Sequence, residues 1–142
     1  CKSQHYWTGV RDHYLIHYIT SGKGVFTYKD KSYHLKSGQG FLICPNTLSY
    51  YQADKKQPWE YCWVGFQGRK AQHYLTQLNL SIEKPIFNCH PNDSIPYVVN
   101  KMIESKNITK GRDLVVTGLA YHFLAKIMEN ERCSSQVQDN KN

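Results

Sequence analysis

Between Tyr14 and Phe66 tight turns cut the chain into short β-prone runs, and such a pattern leaves few ways to bury a core. Tyr14 to Thr20 is rich in Tyr, Ile and Leu. Ser21-Gly22-Lys23-Gly24 reads as a turn and Val25 to Tyr28 as the next strand. Lys29-Asp30-Lys31 returns the chain through Ser32 to Leu35, and Lys36 to Gly40 turns it again. The apolar run Phe41 to Cys44 ends at Pro45-Asn46-Thr47, and Leu48 to Ala53 pairs onward before Asp54 to Pro58 loops into Pro58 to Phe66. Strands this short, joined by turns this tight, predict a closed antiparallel β barrel or jelly roll.

The last run carries the chemistry. In Pro-Trp-Glu-Tyr-Cys-Trp-Val-Gly-Phe, residues Trp59, Tyr61 and Trp63 take alternate positions, so in a strand all three point to one face. Two indoles and a phenol on one side of a sheet form a flat, rigid, partly polar platform. Aromatics at strand spacing commonly serve only as core. Eleven Tyr, three Trp and five Phe are a heavy aromatic load for 142 residues, and a small barrel with little else to do but enclose something favours a binding surface.

After Gly65 the period changes. Ala71, Tyr74, Leu75 and Leu78 within Gly68 to Leu80 follow helical spacing, and Lys84 to Cys89 is extended. Ser94 to Ser105 carries Ile95, Val98, Val99, Met102 and Ile103 on one face, with Asp93 or Ser94 as N-cap. Gly111 to Glu131 is a longer helix whose apolar surface is wide enough for two partners. The predicted division is a barrel over 1–66 with 84–90, helical segments over 67–83 and 91–133, and a polar tail over 134–142. With a first residue Cys1 and a polar end, the chain reads as part of a longer protein.

Several function classes lose support. No run approaches the length of a membrane span. The net charge of +7 is spread over short turns such as Lys29-Asp30-Lys31 and Lys55-Lys56, without the clustering a nucleic-acid footprint needs. The five cysteines form no Cys-x-x-Cys pair. Cys44 and Cys62 lie in apolar runs as small hydrophobes, which suits a reducing cytoplasm. A metal-binding barrel needs a His-x-His pair and a later His. No His-x-His occurs, and Ser49 takes the place of the later one. No Gly-x-Ser-x-Gly elbow or glycosidase-like carboxylate pair appears either. The chain is expected to be no enzyme and to hold no cofactor or metal.

A binding pocket is within its means. Arg11, just ahead of the first strong strand, is a bidentate donor suited to two hydroxyls, and Tyr51 is an amphipathic side chain on a later strand. Aromatic faces against the C–H face of a pyranose, with Arg and phenols on its hydroxyls, are the residue types a sugar site requires. Trp59 belongs to the mouth or the core, and His17 joins the set if its strand phase points inward.

Four stretches now acquire a joint meaning. They are Arg11-Asp-x-Tyr-Leu-Ile-His-Tyr-Ile-x-Ser-Gly-Lys-Gly; Leu-x-x-Gly-Gln-Gly-Phe-Leu-Ile-x-Pro-Asn; Tyr50-Tyr51; and Trp-Glu-Tyr-x-Trp-Val-Gly-Phe. In this order and spacing, from about Arg11 to Glu131, the chain resembles the N-terminal effector domain of AraC-family transcription regulators, most of all the Gram-positive sugar-operon branch. The resemblance implies a cupin-like β barrel that binds the inducer, followed by helices whose last member pairs two subunits. Residues that hold sugar in the arabinose-responsive member fall on Arg11, Tyr51, Tyr61 and Trp63, with a His of that member replaced by Tyr61. A galactoside or other mono- or disaccharide is the effector implied. The homodimer seam is expected at Leu119, Phe123 and Ile127, and DNA is expected to be contacted only by a helix-turn-helix half that this stretch lacks. The competing reading is a cupin-type enzyme such as a sugar isomerase.

Overall fold

The computed structural model describes the backbone of residues 2–3, 6–10, 13–66, 69–89 and 95–139, and the side chains of 13–65, 70, 72–89 and 95–129. By internal contact the chain divides into two compact units, Cys1–Asn88 and Cys89–Asn142.

The described residues of the first unit form the strands β1 (Lys2–Ser3), β2 (Tyr6–Val10), β3 (Tyr14–Ser21), β4 (Lys23–Tyr28), β5 (Lys31–Lys36), β6 (Gln39–Ile43), β7 (Leu48–Ala53), β8 (Glu60–Phe66) and β9 (Ile86–Asn88). They form two antiparallel sheets, ordered β1-β8-β3-β6-β9 and β2-β7-β4-β5. Inward side chains of both sheets share one buried cluster that includes Leu15, Ile19, Phe26, Phe41, Tyr51, Trp59 and Tyr61. The expected barrel is therefore present. The short strands β1 and β2, in a stretch with no clear alternation, were not expected.

Most connections cross between the sheets. Among the described residues only β4 and β5 form a hairpin, closing over Lys29-Asp30. The Ser21-to-Gly24 stretch, expected as a turn, instead carries the chain from one sheet to the other. Gly22 makes that corner at φ 75°, and a Cβ there would lie 2.2 Å from the Pro58 carbonyl oxygen. Any side chain is excluded on both counts. The β7–β8 connection is tied by Asp54, whose carboxylate accepts from Lys56 N–H (3.0 Å) and Gln57 N–H (2.9 Å). These backbone bonds, Gln57 first, hold its pKa below the usual carboxylate value. A lowered folded pKa means the contribution is present above the unfolded value and fades as pH falls through the folded one. Asp54→Asn should accordingly flatten the acid limb of a stability-versus-pH curve, without changing its plateau shape near neutrality.

Helix α1 (Arg69–Gln77) also belongs to the first unit, although the sequence groups 67–83 with the later helices. It ends in a Schellman motif: Asn79 takes φ 59°, Leu80 N–H donates to the Leu75 carbonyl and Asn79 N–H to that of Thr76.

The second unit contains α2 (Ile95–Glu104), a single 3₁₀ turn (Ser105–Asn107) and α3 (Arg112–Asp139). The expected N-cap at Asp93 or Ser94 lies outside the described residues. The α3 helix runs past its expected end at Glu131 and into the stretch read as a tail. It packs on α2, and Val98, Val99, Ala120, Phe123, Leu124 and Ile127 are buried. Phe123 and Ile127 are therefore core, which corrects their expected place at a subunit seam; Leu119 is half-buried.

One cysteine expectation also changes. Cys62 is disulfide-bonded rather than free, whereas Cys44 is a free thiol. Among the described residues no helix is long and apolar enough to cross a membrane.

Candidate functional site

Register decides which side chains meet inside the barrel. On β3, His17 stands opposite Phe41 of β6 and Trp63 of β8, so these three share the inner face. On the facing sheet, Tyr51 of β7 stands opposite Phe26 of β4. The His17 ring stacks on Phe41 with centroids 4.6 Å apart and planes within 4°. Tyr61 and Tyr51 approach the same imidazole at 4.9 and 5.1 Å and meet each other edge-on at 5.9 Å. Phe26 stacks on the far side of Phe41 at 4.6 Å. These are contact distances for aromatic pairs, so rings fill the space between the sheets.

Trp59 lies beneath this group, 6.2 Å from Tyr51 and 6.3 Å from Tyr61. It is fully buried, which decides between mouth and core in favour of core. Its indole has room because position 24 lacks a side chain: a Cβ on Gly24 would sit 2.5 Å from the ring. Gly24, which the sequence suggests is a turn residue, is thus a strand residue hollowed for Trp59. Gly24→Ala should cost roughly 1–3 kcal/mol by overpacking, measurable by urea unfolding. The Trp59 Nε1–H is buried with no hydrogen-bond partner among the described residues.

Trp63 differs from its neighbours. It shares their face, yet 47% of its surface remains in water. Among the described residues β1 pairs with β8 only at Glu60 and Tyr61. Of the expected site residues, the structure brings together His17, Tyr51, Tyr61 and Trp59 and sets Trp63 at their rim. Arg11 lies outside the described residues. Sequence reasoning missed Phe26 and Phe41, which join the His17 ring to the opposite sheet, and the buried hydroxyl of Ser49. Strand parity alone points the first two inward; that they meet His17 depends on pairings a sequence does not display.

Ring faces accept C–H groups, while phenol and indole groups offer hydrogen bonds. Among the described residues no three His, Cys, Asp or Glu side chains are placed to hold a metal ion. Burial pushes the Cys44 thiol above its ordinary pKa, away from the thiolate a nucleophile needs.

A two-sheet barrel with an aromatic interior, followed in the chain by a helical unit, is an arrangement suited to a ligand-binding module. The chain belongs to the AraC-like ligand binding domain family, whose model matches residues 2–124. It is 34% identical over 135 residues to the Msm operon regulatory protein of Streptococcus mutans, covering 92% of this chain and 48% of that protein. It is 26% identical over 117 residues to the lactose operon transcription activator of Staphylococcus xylosus, covering 81% and 42%. A shorter match, 48% over 58 residues, links it to the raffinose operon transcriptional regulatory protein RafR of Pediococcus pentosaceus, covering 40% and 21%. The chain spans about half the length of the first two of these relatives. Two solved structures share the fold at 14% identity. Apo ToxT of Vibrio cholerae has a TM-score of 0.60 over 92% of this chain and 54% of its own, and the AraC-like activator CuxR has 0.56 over 86% and 47%.

Proposed function

We infer that this chain is the sugar-sensing and dimerising part of a transcription regulator, an activator of a carbohydrate-utilisation operon. The observation that carries this reading is the ring cluster of His17, Tyr51 and Tyr61 with Trp63 half-exposed on the same face. Relatives named for the Msm, lactose and raffinose operons point the same way. The effector is a neutral sugar, a galactoside first. Trp63 stacks on the pyranose, Tyr61 and Arg11 bind its hydroxyls, and Tyr51 and His17 form the wall above the Trp59 floor. No turnover is expected, because no acid–base pair accompanies the rings. Titration of intrinsic Trp fluorescence with sugars tests this. Arg11→Ala should abolish detectable binding with an unchanged melting temperature; parent-like affinity would remove Arg11 from the site.

The dimer rests on α3. Leu114, Gly118, Tyr121 and Ala125 recur at spacings of four, three and four, opposite the face that buries Ala120, Phe123, Leu124 and Ile127. Leu114 is 81% exposed and Tyr121 46%, large apolar groups of the kind that mark an interface. A second copy covers this stripe about a two-fold axis. Sedimentation equilibrium at tens of micromolar should show a dimer, and Leu114→Glu with Tyr121→Glu a monomer of unchanged helicity. A parent monomer with its helix intact would rule the seam out.

Operator recognition belongs to the rest of the regulator. Any DNA binding by this chain alone should be weak and lost at moderate salt. The protein acts in the cytoplasm, where a bond at Cys62 would be kept reduced, so dithiothreitol should leave sugar affinity unchanged.

A further inference from the structure

The sheet ordered β2-β7-β4-β5 ends at β5, and among the described residues no strand pairs with its outer edge. Its neighbour shows which backbone groups face that edge. Lys23 on β4 donates its N–H to the Gln57 carbonyl (2.9 Å), and its own carbonyl accepts from Asp54 N–H (3.0 Å). Both bonds lead away from β5, so Lys23 and Lys36 form a non-hydrogen-bonded pair of the ladder. Pairs alternate along an antiparallel ladder, which makes Val25–His34 and Thr27–Ser32 pairs of the same kind. Ser32, His34 and Lys36 therefore aim their N–H and C=O groups out from the sheet. The Lys36 N–H does so visibly, donating to Gln39 Oε1 at 2.9 Å, and Gln39 is braced by its bond to Asn88 Oδ1 at 2.7 Å. Among the described residues the edge is thus capped at Lys36 and open beside Ser32 and His34, both exposed.

Side chains along this edge say what fits it. On the outer face Ser32, His34 and Lys36 follow one another, with Lys23 directly across from Lys36. Side chains of a non-hydrogen-bonded pair stand close, and two ammonium groups so placed repel. A cleft of about 490 Å³ opens at this end, and its lining includes Lys23, Val25, His34, Lys36, Gln39 and Asp54. Asp54 offsets part of the Lys23 charge, but its carboxylate already accepts from Lys56 and Gln57 N–H. Among the described residues no carboxylate pairs with Lys36. At the other end Lys29 and Lys31 outnumber Asp30. On the inner face the Tyr33 ring stacks on Phe26 at 6.1 Å and is only half-buried, so part of it is left to be covered. An antiparallel strand laid beside β5 would then turn acidic residues toward His34 and Lys36, and apolar ones toward Tyr33. Lysines on an edge strand guard against pairing with a second copy, since two such edges bring like charges together. The same lysines favour an acidic partner.

We propose that the β5 edge docks an extended acidic segment of another protein, which joins the sheet as a further antiparallel strand. Its backbone exchanges hydrogen bonds with Ser32 and His34, and one of its carboxylates lies in the cleft beside Lys36 and Lys23. None of the residues assigned to the effector takes part, so the proposal stands or falls apart from the sugar reading.

Fluorescence anisotropy of labelled peptides of about six residues, titrated with the whole chain, tests it. A peptide alternating glutamate with valine should bind about ten-fold or more tightly than one alternating lysine with valine. In an antiparallel pair the glutamate amides face β5. N-methylation at the glutamates should therefore abolish binding, and N-methylation at the valines should spare it. Lys36→Glu should weaken the glutamate peptide about ten-fold. His34→Pro removes an edge N–H that no barrel strand uses, a position where proline is tolerated, and should abolish binding while the protein stays folded. Should that variant unfold, Lys36→Glu and the methylated peptides decide the matter. Equal binding of the glutamate and lysine peptides would overturn the proposal, as would binding indifferent to which amides are methylated. No binding by the folded protein at about 1 mM peptide would overturn it too. A single-stranded oligonucleotide that binds through Lys36 where the glutamate peptide does not would make this a phosphate surface and end the peptide reading.

Discussion

Replacing Phe41 by Ala lowers the unfolding free energy of the barrel by about 3–5 kcal/mol, the usual cost of deleting a fully buried ring that cannot be backfilled. Phe41 has no exposed surface, and four rings surround it: His17 and Phe26 both stack at 4.6 Å, Tyr51 lies at 5.5 Å and Trp59 at 5.7 Å. It joins the two sheets, because His17 belongs to one and Phe26 to the other. The loss combines the transfer free energy of the ring with the cavity it leaves. Phe41→Leu, which retains much of the volume, should cost distinctly less. Urea unfolding reads both, with a lower midpoint at constant slope. A cost below about 1 kcal/mol for Phe41→Ala would mean that the interior is a solvated lumen rather than a filled one.

Trp63→Ala has the other large effect, and it falls on binding. Loss of a well-placed aromatic anchor costs on the order of 2–4 kcal/mol, roughly 30- to 700-fold in affinity. Stability should fall much less, by about 1 kcal/mol, because nearly half of the side chain is already in water. That separation makes Trp63 the informative position. Tyr61→Ala would confound the two effects, since Tyr61 is 2% exposed and packs against His17, Tyr51 and Trp59. Tyr61→Phe retains the ring and removes only the phenol oxygen, so it tests hydroxyl recognition alone. Its effect should be smaller, about 1 kcal/mol for a hydrogen bond between neutral groups.

The same positions show how far a sequence of this kind can be read. The spacing of Trp59, Tyr61 and Trp63 places them on one face, and the β8 register agrees for Tyr61 and Trp63. What the spacing withholds is depth. Trp59 is sealed against Gly24 while Trp63 stands 47% exposed, and the first of these depends on a residue far away in the chain. Glycine turns carry a similar ambiguity. Ser21 to Gly24 looks like a hairpin turn, yet the constraint at Gly22 comes from the Pro58 carbonyl, which only the folded barrel brings near. In α3 the apolar residues divide between two opposite faces of the same helical period. The seam expected at Phe123 and Ile127 turned out to be the face buried within the monomer, because nothing in the period says which face meets α2. Asn79 is the opposite case: its place in a left-handed helix end follows from a local preference that needs no tertiary partner.

The central claim, that the barrel binds a sugar beside Trp63, is tested most directly by a thermal-shift screen of the parent and Trp63→Ala against mono- and oligosaccharides. A ligand that binds only the folded state at one hundred times its Kd stabilises by about 2.7 kcal/mol, which for a chain of this length raises the melting temperature by on the order of 5–10 °C. The account predicts such a rise for at least one galactoside with the parent protein, and a rise largely lost in Trp63→Ala. A folded parent that no sugar stabilises, or a Trp63→Ala protein stabilised as fully as the parent, would contradict it.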